Sequence, residues 1–242
     1  MTGAVASVKS EDIVRMPTSN VLEAIQGQVA GLDITRSSGE AGSGVNMTLR
    51  GTRSINGDNS PLFIIDGMEG SYDELNPNDI ASIEVLKDAS STAVYGAAGA
   101  NGVIIINTKK GKNGMERTNV SYSGYVAFDN ILKKMDMATA DDLRAYAKKN
   151  GLTLANDQGA NTNWQDEVLR TAISTNHNIS INGGAQKTTY MASLNYMDRQ
   201  GVVKGSKMNR LNVRSLVTTK VLKDHLDLSL IHISEPTRHL RI

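Results

Sequence analysis

The 242-residue sequence has no cysteine, only four prolines, and few aromatics: seven tyrosines, two phenylalanines and one tryptophan. Without cysteine there are no disulfides, thiolate metal centres or cysteine nucleophiles. No apolar run of about 18 residues occurs, so no segment can cross a bilayer as a helix. A barrel strand needs only about 9–11 residues of alternating character, which average hydropathy does not register. An excess of one charge is also missing, since 26 Lys plus Arg face 25 Asp plus Glu. That balance gives no support to nucleic-acid binding, which a basic excess carries. The opening MTGAVASVKSEDIVRMPTS lacks a basic flank followed by an apolar core, so no signal peptide is visible.

The common catalytic signatures are missing as well. HExxH, CxxC and GxSxG do not occur, which removes the usual zinc and serine-hydrolase motifs. YGAAGANG is glycine-rich, but it follows a helical turn. A dinucleotide fingerprint needs GxGxxG directly after a strand. His177, between Asn176 and Asn178 at a strand start, reads as a loop or interface residue rather than a ligand. Asp141-Asp142, ahead of LRAYAKK, reads as helix-start charge. The polar run NDQGANTNW reads as a solvated turn, with a cation-holding loop as the sharper alternative. No cofactor or metal is indicated, and no enzyme activity.

What is present divides into two grammars. Up to Gly111 the only aromatics are Phe63, Tyr72 and Tyr95, and periodicity switches between helix and strand about every ten residues, as in a small α+β domain. A helix is expected over residues 20–30, with Asn20 and Glu23 at capping-box spacing and Gly31 as its stop. Val21, Leu22, Ile25 and Val29 share its buried face, and Gly27 in its middle suggests close packing. Strands are expected over 32–36, 45–50 and 62–65, the last closed by the turn signal Asp66-Gly67. A short helix from Pro77 leads into a strand over 83–86. Asp88 then caps a turn over 89–95, and a strand over 103–107, containing the unbroken run VIII, reads as buried on both faces.

Beyond Gly114 the pattern alternates strictly. Tyr190, Ala192, Leu194 and Tyr196 share one face, and Leu211, Val213 and Val217 oppose Asn212 and Arg214. Gly183-Gly184 suggests a tight turn. Alternation fits either a soluble sheet with one wet face or a membrane barrel with an apolar exterior. Connections alternately short (GGAQ) and long (residues 129–176, and DRQGVVKGSKM) resemble the short inner turns and long outer loops of a barrel.

The segments VLEAIQGQVAGLDI, VNMTLRGTRSINGDNSPLFIIDG and NPNDIASIEVLKDASSTAVYGAAGANGVIIINTKKG, taken in that order, resemble TonB-linked outer-membrane transporters of the SusC/RagA type. The likeness runs from Val5 to about Leu226. It implies an α+β plug domain (residues 1–112) followed by antiparallel β-strands of a truncated transmembrane β-barrel (113–227), including one external loop. It further implies an outer-membrane location, with the plug inside the barrel and facing the periplasm. Uptake of oligosaccharides or peptides with a SusD-like surface lipoprotein would be energised by a TonB complex pulling on the plug's N-terminal side. A soluble periplasmic binding or adhesion module is the alternative.

Candidate structural and gating positions follow from the matching motifs. Leu49-Arg50-Gly51 ends one strand, where Arg50 can pair with Glu84 or Asp88. Asp66-Gly67 ends another. Lys87, Tyr95 and Asn101 lie in the opening motif, where Gly96, Gly99 and Gly102 allow a compact turn before the last strand. No TonB box precedes Val5, which implies that Met1 is not the natural start and that the TonB-binding segment is missing. LSLIHISEPTR at 228–238 matches a reading frame of a transposon-based sequencing adapter, so 228–242 reads as an adapter-derived tail. That removes His232 and His239 from any functional argument.

Overall fold

The computed structural model describes residues 5–240 except 19, 39, 53–58, 112–116, 186, 223–224 and 235–236. The first half contains β1 (Val5–Lys9), α1 (Ser10–Val14), α2 (Val21–Ala24), β2 (Leu32–Arg36), β3 (Val45–Leu49), β4 (Leu62–Ile65), β5 (Met68–Glu69), β6 (Ile80–Leu86), α3 (Ala89–Thr92) and β7 (Val103–Thr108). Five of these strands form a sheet in the order β1-β6-β7-β4-β5, while β2 and β3 pair as a separate hairpin. β7 lies between antiparallel β6 and parallel β4. That central place accounts for its continuous apolar run, and Val103, Ile104 and Ile106 have no exposed surface. The core continues through Ile80, Ile83 and Val85 of β6 to Ile13, Leu22 and Ile25, and is closed by Ile34 and Met47 of the hairpin.

Local chemistry moves several expected boundaries. The helix expected over 20–30 is the four-residue α2, capped by Asn20, whose Oδ1 accepts from the Leu22 amide at 2.9 Å. Gly27 adopts φ +76° with open space where a Cβ would sit, so it breaks the helix and is not closely packed. Glu23 does not complete a capping box, because Thr18 and Arg36 take its carboxylate. Near Pro77 there is a 3-10 turn (Pro77–Asp79) rather than an α-helix, held by Asn76. After α3 the chain continues as a 3-10 segment kinked at Gly96. Asp88 stands at the α3 N-cap without capping it, since its carboxylate serves Arg50. Asp66 and Gly67, at φ +50° and +92°, form the two-residue turn between β4 and β5, where strand twist favours left-handed residues.

The second half is an antiparallel meander: β8 (Asn119–Asp129), β9 (Ala172–Gly184), β10 (Thr188–Gln200), β11 (Lys207–Val221) and β12 (Leu226–Ser234), with β13 (Thr237–Leu240) pairing further along β11. Residues 130–171, between β8 and β9, carry α4 (Ala140–Lys149) and α5 (Trp164–Val168). Asp142 and Thr139 form a full capping box for α4, as the acidic helix start implied. Gly183 and Gly184 belong to β9 and the turn follows them. Much of DRQGVVKGSKM is strand, leaving 201–206 as the connection.

The polarity of this sheet is reversed relative to a soluble one. Asn176, Asn178, Ser193, Asn195, Asn212 and Arg214 are 2–6% exposed and share the inner face, against the first half. On the outer face Tyr122, Val126, Phe128, Ile173, Ile179, Leu194 and Tyr196 are 41–65% exposed. On β12, Leu226, Leu228 and Leu230 continue the outer face in register with Val221, Thr219 and Val217. Alternation therefore continues through Leu230, inside the stretch read as an adapter-derived tail, and is lost at Ile231.

Gly102 shows how tightly the central strand begins. It adopts φ +98°, and a Cβ there would lie 2.2 Å from Leu49 Cδ2. Gly102→Ala combines that clash with left-handed strain, so it should destabilise the first half by at least about 1 kcal/mol. Faster amide exchange in β7 and β3 is the expected reading, and unchanged exchange would contradict it.

Candidate functional site at the plug–wall interface

The motif residues first fasten the first half to itself. Arg50, at φ +59°, donates its amide to the Gly31 carbonyl at 2.8 Å. Its guanidinium reaches Asp88 Oδ1 at 2.7 Å. Of the two carboxylates available, Asp88 is therefore the partner, while Glu84 lies near the Asn107 amide at 3.5 Å. Both ions of the Arg50–Asp88 pair are partly exposed, which limits its worth to about 0–1 kcal/mol. Lys87 Nζ donates to the Ala30 carbonyl at 3.0 Å, beside the same β2 entrance. Gly51 extends the left-handed bend at φ +82°. Tyr95 packs on Ile64, Leu86 and Val103, Gly99 is buried beneath it, and the Asn101 amide donates to Ser60 at 3.5 Å.

Asp66 links this half to the wall as well as ending a strand. Its Oδ1 accepts from the Thr108 amide at 3.0 Å and its Oδ2 from the Thr108 hydroxyl at 2.5 Å. Arg214, on the inner face of β11, places Nη2 3.4 Å from Asp66 Oδ2 and also donates to Thr108 Oγ1 and to the Lys109 carbonyl. The two side chains are 4% and 7% exposed, and breaking such a pair by removing one partner costs about 3–5 kcal/mol. Sequence reading placed Arg214 only on the polar side of a strand. A charge at an inward position of an alternating strand was the available signal, and which carboxylate would meet it depended on the tertiary fold.

Asp79, at the end of the 3-10 turn, is the second link. Its Oδ2 accepts from the Ser193 hydroxyl of β10 at 2.9 Å, and its carbonyl accepts from the Lys109 amide at 2.8 Å. Burial pushes the Asp79 carboxyl up, against the lowering influence of Ser193, Arg214 and Lys109. Burial pushes the Lys109 ammonium down, opposed by Asp79. Neither Asp79 nor Ser193 was singled out from sequence.

At the far end of the sheet the β2–β3 hairpin tip is pinned to the wall. The Ala41 amide donates to Ser206 Oγ at 3.1 Å, and Ala41 packs with Met197 and Met208. At the hairpin base, Arg36 donates to both oxygens of buried Glu23 at 2.5 and 2.8 Å, joined by Thr18. Burial raises the Glu23 carboxyl, but these hydrogen bonds outweigh it and hold the group below its ordinary value.

Other sequence candidates find structural partners. Arg144 fills the polar loop that could have held a cation, bonding Asp157 at 2.8 and 2.9 Å and Asp141 at 2.7 Å. His177 faces outward on β9, with Nδ1 2.8 Å from the Tyr122 hydroxyl. Among the described residues no group of three or more His, Asp or Glu side chains could hold a metal, and none of them is a helix long and apolar enough to span a membrane.

The raised Asp79 fixes the sign of a pH effect. A carboxyl that binds its proton more tightly when folded stabilises the fold at low pH, and that contribution is lost as pH rises through the folded value. Asp79→Asn keeps an acceptor for Ser193 without the buried charge. It should stabilise the plug–wall contact at neutral pH and flatten the loss of stability as pH rises from acid to neutral. Denaturant melts from acid to neutral pH would show this, and a variant less stable at neutral pH would contradict it.

The chain has known relatives. The family model for the TonB-dependent receptor plug domain matches residues 1–103. The chain is 41% identical to TonB-dependent receptor SusC of Bacteroides thetaiotaomicron over 93% of its own length and 24% of that protein's. It is 37% identical to TonB-dependent receptor P3 of Formosa agariphila over 92% of its own length and 22% of that protein's. The solved RagAB peptide importer in its closed-closed state superposes with a TM-score of 0.88 at 30% identity, over 99% of this chain and 31% of that one. The chain thus spans about a quarter of the curated relatives it matches and about a third of the solved one. With a plug-type α+β unit seated on the polar face of an antiparallel sheet, residues 1–103 are a TonB-dependent receptor plug domain, and the chain as a whole is similar to the SusC/RagA group of these receptors over their plug and the strands that follow it.

Proposed function

We propose that this segment is the gate of an outer-membrane importer. Residues 1–112 form the plug, and 113–227 form the first wall strands with an external excursion at 130–171. The reversed polarity of the wall carries the reading. Bare apolar side chains on one face suit lipid, while polar side chains on the other suit a lumen occupied by the plug. A soluble binding or adhesion module would leave that apolar face in water, which favours the importer.

In this reading the plug faces the periplasm and blocks the lumen until a substrate arrives from outside. The similar RagAB protein is a peptide importer, which supports peptides as substrate, and the motif resemblance to SusC/RagA-type transporters leaves oligosaccharides as the other choice. A SusD-like surface lipoprotein would present the substrate, and a TonB complex would pull on a segment ahead of Val5. Arg50, Asp66, Asp88 and the glycine-rich motif then act as fastenings that must hold at rest and yield under load.

Residues 228–242 we assign to adapter-derived sequence, on the match of LSLIHISEPTR. Pairing of β12 with β11 uses backbone groups, which any side chains permit. Inward Ile231 stands opposite buried Leu216 of β11, and inward Ile233 packs against the plug core.

Deleting residues 5–112 from the complete receptor should abolish energised uptake and raise nonspecific permeability. Growth on the substrate and sensitivity to large antibiotics measure both effects. Normal growth with unchanged sensitivity would sink the gate assignment.

A further inference from the structure

The segment 130–171, between β8 and β9, has almost no core of its own. It carries α4 and α5, yet Ala147 is its one buried residue. A helix as short as α4 is marginal in water unless packing supports it. The large apolar side chains of the segment are bare instead: Leu132, Met135, Met137 and Trp164 are between 64% and 102% exposed. Single exposed apolar residues are ordinary, but a contiguous group of them marks an interaction surface.

Met135, Met137 and Trp164 line one groove of about 760 Å³, formed between residues 134–140 and 160–168. One flank of the groove leaves β8 directly after Asp129. The other is fastened to the 201–206 connection, where Leu169 bridges Val203 and the Arg170 guanidinium donates to the Gly201 carbonyl at 3.1 Å. Most of the groove's polar side chains are already spent. Gln165 donates to the Met135 carbonyl at 2.8 Å and accepts from the Met135 amide at 3.1 Å, Asn163 caps α5, and Lys134 pairs with Asp166. A small substrate is oriented by free donors and acceptors, and few remain here. The surface on offer is the Trp164 ring with Met135, Met137 and Val168, which suits the apolar side chains of a packed protein segment.

The edge of the sheet identifies the segment that can reach this groove. β8 pairs with β9 on one side and has no strand on the other among the described residues. The stretch matched here is 24% of the length of SusC. On the importer reading, the complete receptor continues the sheet until a final strand closes on β8, because a barrel leaves no open edge. A final strand antiparallel to β8 starts beside Asp129, where β8 ends and segment 130–171 begins. The chain leading into that strand therefore passes beside Leu132 and Met135.

We propose that the groove is the seat of the receptor's last outer loop, the stretch immediately before the final wall strand, which packs apolar side chains on Trp164 and Met137. This assignment rests on the importer reading. Segment 130–171 then clasps the end of the receptor chain to the first strand of its wall, closing the outer rim as strand pairing closes the body.

The complete receptor provides the test. A benzophenone amino acid in place of Met137, activated by light in isolated outer membranes, should cross-link within the chain, to the residues just ahead of the final strand. Mass spectrometry of the joined peptides identifies the partner. Cross-links to an earlier outer loop, a second copy, a separate lipoprotein or added substrate, or no cross-link at all, would overturn the assignment. A receptor recovered outside the outer membrane would instead count against the importer reading itself. Shortening the last outer loop to a tight turn gives an independent measure. Amide exchange in α4 and α5 should rise about tenfold while β9–β11 hold their protection. Unchanged exchange in α4 would equally overturn the seat.

Discussion

The structure depends on a polar surface being buried. The inner face of β9–β11 presents asparagine, serine and arginine among buried Met191, Met197, Met208 and Leu216, and those polar groups are acceptable inside only with partners or water. The plug supplies them at a small number of points: Asp66 and Thr108 to Arg214, Asp79 to Ser193, and Ala41 to Ser206. The plug's own core is closed mainly by β6, β7 and the β2–β3 hairpin, with Ile233 of β12 packing against it from the wall. Two bodies of opposite surface character thus meet, one held by apolar packing and the other by its backbone ladder.

That division separates stability from attachment. Loss of packing at Gly102 or Ile104 would weaken the plug itself, whereas changes at Arg214 or Ser193 would weaken where it sits. The buried ion pair is strong mainly in the sense that neither partner tolerates desertion. The Arg50–Asp88 pair is exposed and cheap to part.

Much of the fold was legible because period and burial agreed. β2 and β4 lie at the expected residues, and the VIII run of β7 is central and buried as its composition implied. The helix over 20–30 failed because Gly27 turned left-handed, a backbone event that the side-chain pattern of Val21, Leu22 and Ile25 does not encode. The short Pro77 helix became a 3-10 turn because Asn76 closes it after one turn. At the interface the sequence offered Asp66 as a turn residue and Arg214 as a polar face, both correct and both incomplete. Their meeting spans 148 positions, and only tertiary structure could specify it. Asp79 and Ser193 carried no local signature at all.

The alternation of β8–β11 left two environments open, and burial decided between the faces. The plug lies against strands that follow it directly in the chain, so it rests on its own nearest neighbours. The contacts that seat it, from Arg214 on Asp66 to Ser206 on Ala41, are therefore made within one continuous stretch of chain, so that plug and seat are encoded side by side.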